Sequence, residues 1–201
     1  MSNLLTEDRF FSGYQSAALN VHPKGVSLES HYHNFVEINY VYKGCCYQTI
    51  NDKVEIVLNE GDILLLDSGT VHSIKATSTD DIILNCMISE RYFAHYLIDK
   101  VSSNTFLNEL ATRIMFNSKS TYHIFRTNNN PSLRDYFQHC VKEYFYPSIC
   151  SENVIDAYIM LIFSVLCRIN YEQNELDKNH AAILEILNYI EKHPVMFHYR
   201  M

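Results

Sequence analysis

The stretch HYHNFVEINYVYKG, residues 31–44, places two histidines one residue apart and a glutamate four residues after the second. On a β-strand His31 and His33 would lie on one face, because successive side chains point to opposite faces. Glu37 has the same parity, but a straight strand would carry it about 13 Å beyond His33. The three side chains can therefore meet only if the chain turns a corner just after His33, and Asn34 is a residue type that permits such a bend.

A fourth candidate side chain, His72, lies in the stretch GDILLLDSGTVHSI, residues 61–74. A buried strand is followed there by a Ser-Gly turn, and His72 enters the same barrel if the strands at 62–66 and 70–76 fold beside the first pair. Three imidazoles and one carboxylate suit Zn, Fe, Ni, Mn or Cu and leave coordination positions open for water or substrate. The predicted metal ligands are His31, His33, Glu37 and His72. The same side chains could instead bind a small effector without a metal, and the sequence leaves both interpretations open.

Composition and charge exclude several classes of protein. The chain has 201 residues, of which 47% are hydrophobic, and its formal charge of −7 argues against a nucleic-acid groove on this chain alone. Its six cysteines have neither C-x-x-C spacing nor the density of a disulfide scaffold, so we interpret them as reduced thiols. The N-terminus does not resemble a secretory signal, and the longest weakly charged run, 157–167, is shorter than the roughly 20 residues that a bilayer requires. We therefore expect a cytoplasmic protein without a membrane segment.

The first half of the chain has the pattern of a β-rich domain. β-Branched and aromatic residues alternate between turn signals, and Asn51-Asp52 and Gly61 mark two of the turns. Many short strands joined by short turns indicate a sandwich or barrel. The predicted strands lie at 14–20, 26–33, 36–42, 45–50, 53–58, 62–66, 70–76 and 81–88.

The second half changes to helical periodicity, so the predicted fold class is α+β. The helix at about 152–172 is apolar around most of its circumference, and it is either a buried core helix or one side of a dimer interface. A polar and charged stretch at 171–180 separates it from a last helix, which Pro194 ends. The predicted helices lie at 104–116, 132–146, 152–172 and 181–193.

The residues around His31 resemble the first sequence motif of the cupin family in full. They read, in order, Gly25, five residues, His31-x-His33, three residues, Glu37, six residues and Gly44. The resemblance implies an N-terminal cupin-type β-barrel, or jelly roll, followed by a C-terminal helical subdomain. Such a barrel would also supply the corner that the two histidines and the glutamate require.

The second cupin motif is matched by Gly61, by Ser68-Gly69 and by His72. The chain departs from this motif at Asp67, where the family usually has a proline, and at Ala76, where it has an asparagine. The double match indicates the fold more strongly than the function, because cupins include metal enzymes, storage-like proteins and sensor domains.

Over about residues 14–192 the chain resembles the N-terminal half of AraC-type transcription regulators, since the strands that carry both motifs are followed by helices. This resemblance implies a cupin barrel for effector binding at 1–90 and a helical dimerisation region at 91–175. Residues 176–201 would then be a linker and a remnant of the first helix of a helix-turn-helix domain. We expect the DNA-binding domain itself to be missing or truncated, because the residues after 193 cannot supply recognition helices.

The resemblance therefore predicts a small-molecule-sensing module that dimerises through helices 132–146 and 152–172 and contacts DNA only through the missing C-terminal domain. No cofactor is required, and no enzymatic activity is expected, since no separate acid, base or nucleophile stands out. The alternative is a mononuclear metal-dependent cupin enzyme of the dioxygenase or isomerase kind. Strand parity separates Tyr40 from Glu37, so core packing competes with a binding role for this tyrosine. The predicted effector-binding residues are His31, His33, Glu37, His72, Tyr40 and Tyr47.

Overall fold

The computed structural model describes residues 3–11, 15–76, 78–93 and 122–192, with the side chains of the last helix described up to residue 174 and at residue 188. Within these ranges the chain forms two β-sheets followed by two long helices. The helix predicted at 104–116 lies outside the described residues.

The strands predicted from the sequence are present, with bounds that differ by a few residues. Two short strands, β1 and β10, were not predicted, because three or four residues are too few to show an alternating pattern. The strands are β1 Asn3–Leu5, β2 Ala17–Val21, β3 Leu28–His33, β4 Val36–Lys43, β5 Cys45–Ile50, β6 Val54–Asn59, β7 Ile63–Leu66, β8 His72–Ile74, β9 Ile82–Ile88 and β10 Tyr122–Phe125. The helices are the single turn α1 Glu90–Tyr92, α2 Pro131–Phe145 and α3 Ser151–Lys192.

Two five-stranded sheets form a jelly roll. The first sheet has the strand order β1-β3-β8-β5-β6, and the second has the order β10-β7-β4-β9-β2. Because β3 belongs to the first sheet and β4 to the second, the chain crosses between the sheets at Asn34 and Phe35. This crossing is the corner predicted after His33, and it is confirmed.

The predicted turns are also present. Asn51 and Asp52 both have positive φ, as a tight hairpin between β5 and β6 requires, and Gly61 has a φ of +87°. A Cβ at Gly61 would lie 2.5 Å from the Cα of Asn129, so only glycine fits this close approach of two backbone segments. The six cysteines are free thiols, as predicted.

Strand β4 is buried on both faces, which is why it lacks a clean alternation of polar and apolar residues. The even-numbered side chains from 36 to 40 pack under the two long helices, where Tyr40 stacks on Phe137 of α2 with ring centroids 4.4 Å apart. The odd-numbered side chains from 37 to 41 face the space between the sheets, where Val41 joins a second apolar cluster. One strand thus contributes both to the helix-covered core and to the interior of the barrel.

Helix α2 begins after Asn130, whose side chain accepts hydrogen bonds from the backbone N–H groups of Ser132 and Leu133. Ser132 and Asp135 have the sequence spacing of a capping pair, but the capping residue is Asn130, two residues before Ser132. Pro131 occupies the first helical turn, where its missing N–H costs nothing, so the capping position falls on Asn130.

Helix α3 is continuous through the polar stretch 171–180, where the sequence predicted a break. That prediction was wrong because the stretch has no Gly or Pro and half of its residues are Glu, Gln, Leu or Lys, which are good helix formers. By length and composition alone, the part Ser151–Asn174 could cross a membrane. Its buried residues, Ile159 and Phe163 among them, belong to the core against the second sheet, and a core helix has the same composition.

Candidate functional site

Three histidines and one glutamate converge inside the barrel at the end where β3 passes into β4. His33 Nε2 lies 3.0 Å from Glu37 Oε2, and His72 Nε2 lies 3.4 Å from the same oxygen. The imidazole rings of His31 and His72 have centroids 4.1 Å apart. All four side chains are buried. The fold therefore brings together the four residues that the sequence singled out, and we call them the histidine cluster.

The register of the first sheet and the corner after β3 explain this convergence. His31 pairs with His72 across β3 and β8, so their side chains are neighbours on one face. The Gly69 backbone N–H donates to the His33 carbonyl at 2.7 Å, which ties the turn before β8 to the corner. Glu37 then enters from the facing sheet, because β4 begins on the other side of that corner.

Each imidazole of the cluster is anchored through Nδ1 to a backbone carbonyl. The anchoring distances are 2.8 Å from His31 to Glu29, 2.7 Å from His33 to Phe35 and 3.1 Å from His72 to Thr70. A carbonyl oxygen can only accept, so each Nδ1 carries a proton. In a neutral imidazole the other nitrogen, Nε2, is then left as a bare acceptor.

Imidazole lone pairs this close to a carboxylate repel it unless a cation lies between them. That cation is either a second proton on the ring or a metal ion. His31, Glu37 and His72 can each offer one ligand atom, and these atoms lie within 4.8 Å of one another. Metal-bound histidines commonly have the other nitrogen anchored in this way. The donor set therefore fits a divalent transition metal, with His33 in contact with Glu37 beside this group of three.

Burial and close contacts set the charges in the cluster. Burial alone would raise the pKa of Glu37, but protons from His33 and His72 facing the carboxylate outweigh it and hold that pKa well below its ordinary value. A metal ion in place of those protons would act in the same direction. Burial, followed by the neighbouring His72, lowers the pKa of His31 to about 4. At neutral pH Glu37 is therefore ionised and His31 is neutral.

A layer of buried amides lies directly behind Glu37. Asn39 Nδ2 donates to Glu37 Oε1 at 3.1 Å and to Asn85 Oδ1 at 3.0 Å. Gln48 Nε2 in turn donates to Asn39 Oδ1 at 2.8 Å. These three residues were not predicted from the sequence, although Asn39 shares a strand face with Glu37 and Gln48 is a polar residue in a predicted strand. We call them the amide layer.

The structure does not bring the two predicted tyrosines to the histidine cluster. Tyr40 is on the opposite face of β4 from Glu37 and stacks on Phe137. Tyr47 lies on the outer face of the first sheet, where 45% of it is exposed. The parity of each strand explains both positions.

A cavity of about 670 Å³ lies elsewhere, between the second sheet and α2. Its lining residues are Val21, Tyr42, Ile82, Leu84, Gln138, Val141, Lys142, Phe145 and Tyr146. None of these is a buried polar residue, and Phe145 and Tyr146 are 49% and 80% exposed. Specific recognition of a small polar molecule needs convergent buried polar groups, which the barrel interior has and this cavity lacks. We therefore place the candidate chemistry in the barrel.

Metal-free protein is expected to lose stability as the pH falls from about 6.5 to about 4. In that window the unfolded chain protonates His31 at its ordinary pKa of 6.5, whereas the folded chain resists protonation down to about 4. Stability then falls by roughly 1.4 kcal/mol per pH unit for each such proton. Below about pH 4.5 the unfolded chain also protonates Glu37, whereas the folded chain holds the pKa of this carboxyl lower. The free energy of unfolding therefore falls further as the pH decreases.

Urea unfolding after chelation, at several pH values between about 7 and 5, measures this slope. The variant His31→Gln cannot take up that proton, so its stability should fall less over the same range. An unchanged slope in His31→Gln would mean that another group is responsible.

Comparison with known proteins agrees with this geometry. Residues 18–88 match the family model described as the cupin domain. An apo ToxT variant from Vibrio cholerae strain SCE256 is similar in structure, with a TM-score of 0.56 at 15% identity over 78% of this chain and 57% of that chain. A predicted oxalate decarboxylase from Thermotoga maritima is 33% identical over 36% of this chain and 64% of that chain, with a TM-score of 0.31. No curated protein matches the sequence significantly.

The chain thus spans 57% of the length of the ToxT chain, and at this identity the likeness shows the fold alone. The match covers more of this chain than the barrel, so it includes helical residues. The predicted cupin-type jelly roll followed by helices is confirmed. Residues 18–88 match the cupin domain and fold as a cupin-like jelly roll, which the chain joins to a C-terminal helical region.

Proposed function

We propose that this chain is the effector-binding and dimerisation module of an AraC-type transcription regulator. The observation that carries the proposal is the buried histidine cluster inside a barrel whose second sheet is covered by helices. The sequence resemblance to AraC-type regulators over about residues 14–192 supports it. So does a fold shared with ToxT that extends beyond the cupin domain.

The cluster is better explained by binding than by structural stability. Nε2 of His33 and Nε2 of His72 face the Glu37 carboxylate, with which neither can form a hydrogen bond unless the ring takes a second proton. As neutral acceptors both atoms are buried without a donor among the described residues, and each such atom costs roughly 1–3 kcal/mol. Apolar side chains of similar size would stabilise a barrel at least as well as a buried charge with its partners. A ligand or metal that meets these nitrogens would recover the cost.

A small molecule that binds the cluster should raise the thermal midpoint of the protein, because a ligand at 100 times its Kd stabilises the folded state by about 2.7 kcal/mol. The screen covers sugars, aromatic compounds and amino acids. A true effector should stabilise the wild type and the control His139→Gln, which changes a histidine on α2 outside the barrel. It should not stabilise His72→Gln. Equal stabilisation of all three proteins would place the binding site outside the histidine cluster.

The homodimer contact is assigned to the two long helices, over 132–146 and 152–172. Phe145 and Tyr146 at the end of α2 are exposed, and Ile149 in the following turn is 91% exposed. Leu161 on α3 is 42% exposed. Exposed apolar side chains near one another are typical of an interaction surface. The open apolar cavity beside α2, which Phe145 and Tyr146 line, extends this apolar surface.

Replacing either Phe145 or Leu161 by glutamate should convert a dimer into a monomer, because each change places a charge in the apolar contact. The matched control is Val57→Glu on the outer face of the first sheet, since Val57 is 44% exposed and also apolar. Sedimentation equilibrium of the three variants measures the dissociation constant. A dimer that survives both helix changes and is lost in Val57→Glu would move the interface to the first sheet.

DNA contact belongs, in this proposal, to a helix-turn-helix domain separate from residues 1–201. A formal charge of −7 gives these residues no excess of cations for phosphate neutralisation. The proposed location is the cytoplasm, with a small-molecule effector and a second copy of the chain as partners.

A mononuclear metal cupin enzyme is the second candidate, and the Nδ1 anchors of the three histidines favour it. His31, Glu37 and His72 would hold the ion, which would supply Lewis-acid or oxygen chemistry. The backbone carbonyls that hold Nδ1 of the histidines would fix the orientation of the ligands, and the surrounding barrel would keep the cluster buried. Outside the histidine cluster the sequence singled out no acid, base or nucleophile for this site, so the sensor remains the primary proposal.

Elemental analysis after gentle purification separates the two candidates. A metal enzyme should carry about one Zn, Fe, Ni, Mn or Cu per chain, and His31→Ala and His72→Ala should each lose it. His139→Ala is the control that should retain it. Metal-free wild-type protein with a native circular dichroism spectrum would remove the enzyme candidate and leave the sensor.

A further inference from the structure

The carboxylate of Glu37 fixes the direction of each hydrogen bond in the amide layer behind it. An ionised carboxylate can only accept, so the Asn39 atom 3.1 Å from Glu37 Oε1 must be the amide nitrogen. Asn39 Oδ1 then faces Gln48 and accepts from its Nε2 at 2.8 Å. The carbonyl oxygen of Gln48, Oε1, stands at the end of this chain of hydrogen bonds.

Gln48 Oε1 is a buried acceptor without a donor among the described residues. The residue is 1% exposed, so bulk water does not supply one. Flipping the Gln48 amide would set its oxygen against the oxygen of Asn39, and Asn39 cannot flip because Glu37 requires its N–H. An unpaired buried acceptor costs roughly 1–3 kcal/mol, so this position is suited to an incoming donor.

Gln48 lies deeper in the barrel than the histidine cluster. On β5, Ile50 pairs with His72 and Gln48 pairs with Ile74. Two residues along a strand are about 7 Å, so the cluster and the amide layer form two successive polar layers between the sheets. Beyond them the interior is apolar. A ligand that contacts both layers would meet imidazoles on one side and the Gln48 acceptor on the other.

The charges of the interior select against anionic ligands. Among the described residues that are buried, none is Lys or Arg. In the metal-free protein the imidazole protons that face Glu37 are already paired with it, so a carboxylate or phosphate would meet no further cation among the described buried residues. A hydroxyl group can donate to Gln48, and other hydroxyl groups of the same molecule can pair with an imidazole as donor or acceptor.

We propose that Gln48 is a ligand-contacting residue whose Oε1 accepts a hydrogen bond from a hydroxyl group of an uncharged, hydroxyl-bearing effector. This inference rests on the proposed function, because it takes the barrel interior as the effector site. It adds the class of ligand and the residue that recognises it. Gln48 discriminates between ligands with and without a hydroxyl donor, because a molecule without the donor leaves Oε1 unpaired in a buried position.

The experiment uses the full chain, once with EDTA and once with one equivalent of Zn²⁺. The probes are aldopentoses and aldohexoses together with the aldonates obtained by oxidising their C1 aldehydes, so that each neutral sugar has a carboxylate partner with the same skeleton. Gln48→Leu removes the acceptor, and Gln48→Met removes it while keeping the side-chain length. Tyr47→Phe is the control, because Tyr47 is adjacent in the chain but points outward. Calorimetry measures affinity, and circular dichroism verifies that each variant is folded.

We expect at least one aldose to bind the wild type and Tyr47→Phe equally, in one or both metal conditions, and the aldonates not to bind in EDTA, where no metal charge compensates their carboxylate. Its affinity should fall about tenfold or more in each folded Gln48 variant, in line with one lost buried hydrogen bond. Equal affinity in a folded Gln48 variant would overturn the contact and leave the effector function standing. If the aldonates bind in place of the aldoses, or if no aldose binds, the ligand class is overturned. The proposed effector function is then tested separately, by the thermal-midpoint screen of sugars, aromatic compounds and amino acids with His72→Gln.

Discussion

The crossing from β3 to β4 at Asn34 and Phe35 is the constraint on which the site depends. On a straight strand Glu37 would be about 13 Å from His33, and after the crossing the two side chains are 3.0 Å apart. Packing holds the crossing in place, since Phe35 stacks against the His33 ring at 4.3 Å and its other contacts include Phe10 at 5.5 Å. The N-terminal segment thus supports the geometry of the cluster by packing against Phe35.

Once the crossing is made, the two oxygens of Glu37 have separate partners. Oε2 faces the imidazoles of His33 and His72, and Oε1 accepts from Asn39. The histidines cannot turn away, because their Nδ1 atoms are held by backbone carbonyls. The carboxylate is therefore fixed from two sides, and its negative charge attracts a proton or a metal at one oxygen while it orients the amide layer at the other. The negative charge of Glu37 therefore explains both why the histidine cluster needs a cation and why the hydrogen bonds of the amide layer run in one direction.

Strand parity and the turns that particular residues mark predicted a β-rich domain and the shared face of His31 and His33, whereas the jelly roll and the corner that completes the histidine cluster came from the resemblance to cupins. Asn51, Asp52 and Gly61 required positive φ, and the structure has it at each of them. The amide layer was not predicted, because its membership depends on which strands face each other across the barrel, and periodicity within one strand does not contain that information. The continuity of α3 was missed because a polar stretch was taken as a linker, although its residues favour a helix.

Strand β4 makes the barrel interior and the helical layer parts of one rigid element. Glu37 and Asn39 project into the barrel, while Tyr40 packs on Phe137 of α2, and they share eight residues of backbone. A ligand can change the arrangement of the helices only by binding one arrangement more tightly than another. Since the Glu37 carboxylate is held by both sheets and the Tyr40 ring by α2, a shift of β4 alters contacts on both of its faces at once. In the proposed function, ligand binding and dimerisation would then be coupled through a single strand, without any contact between the ligand and the helices.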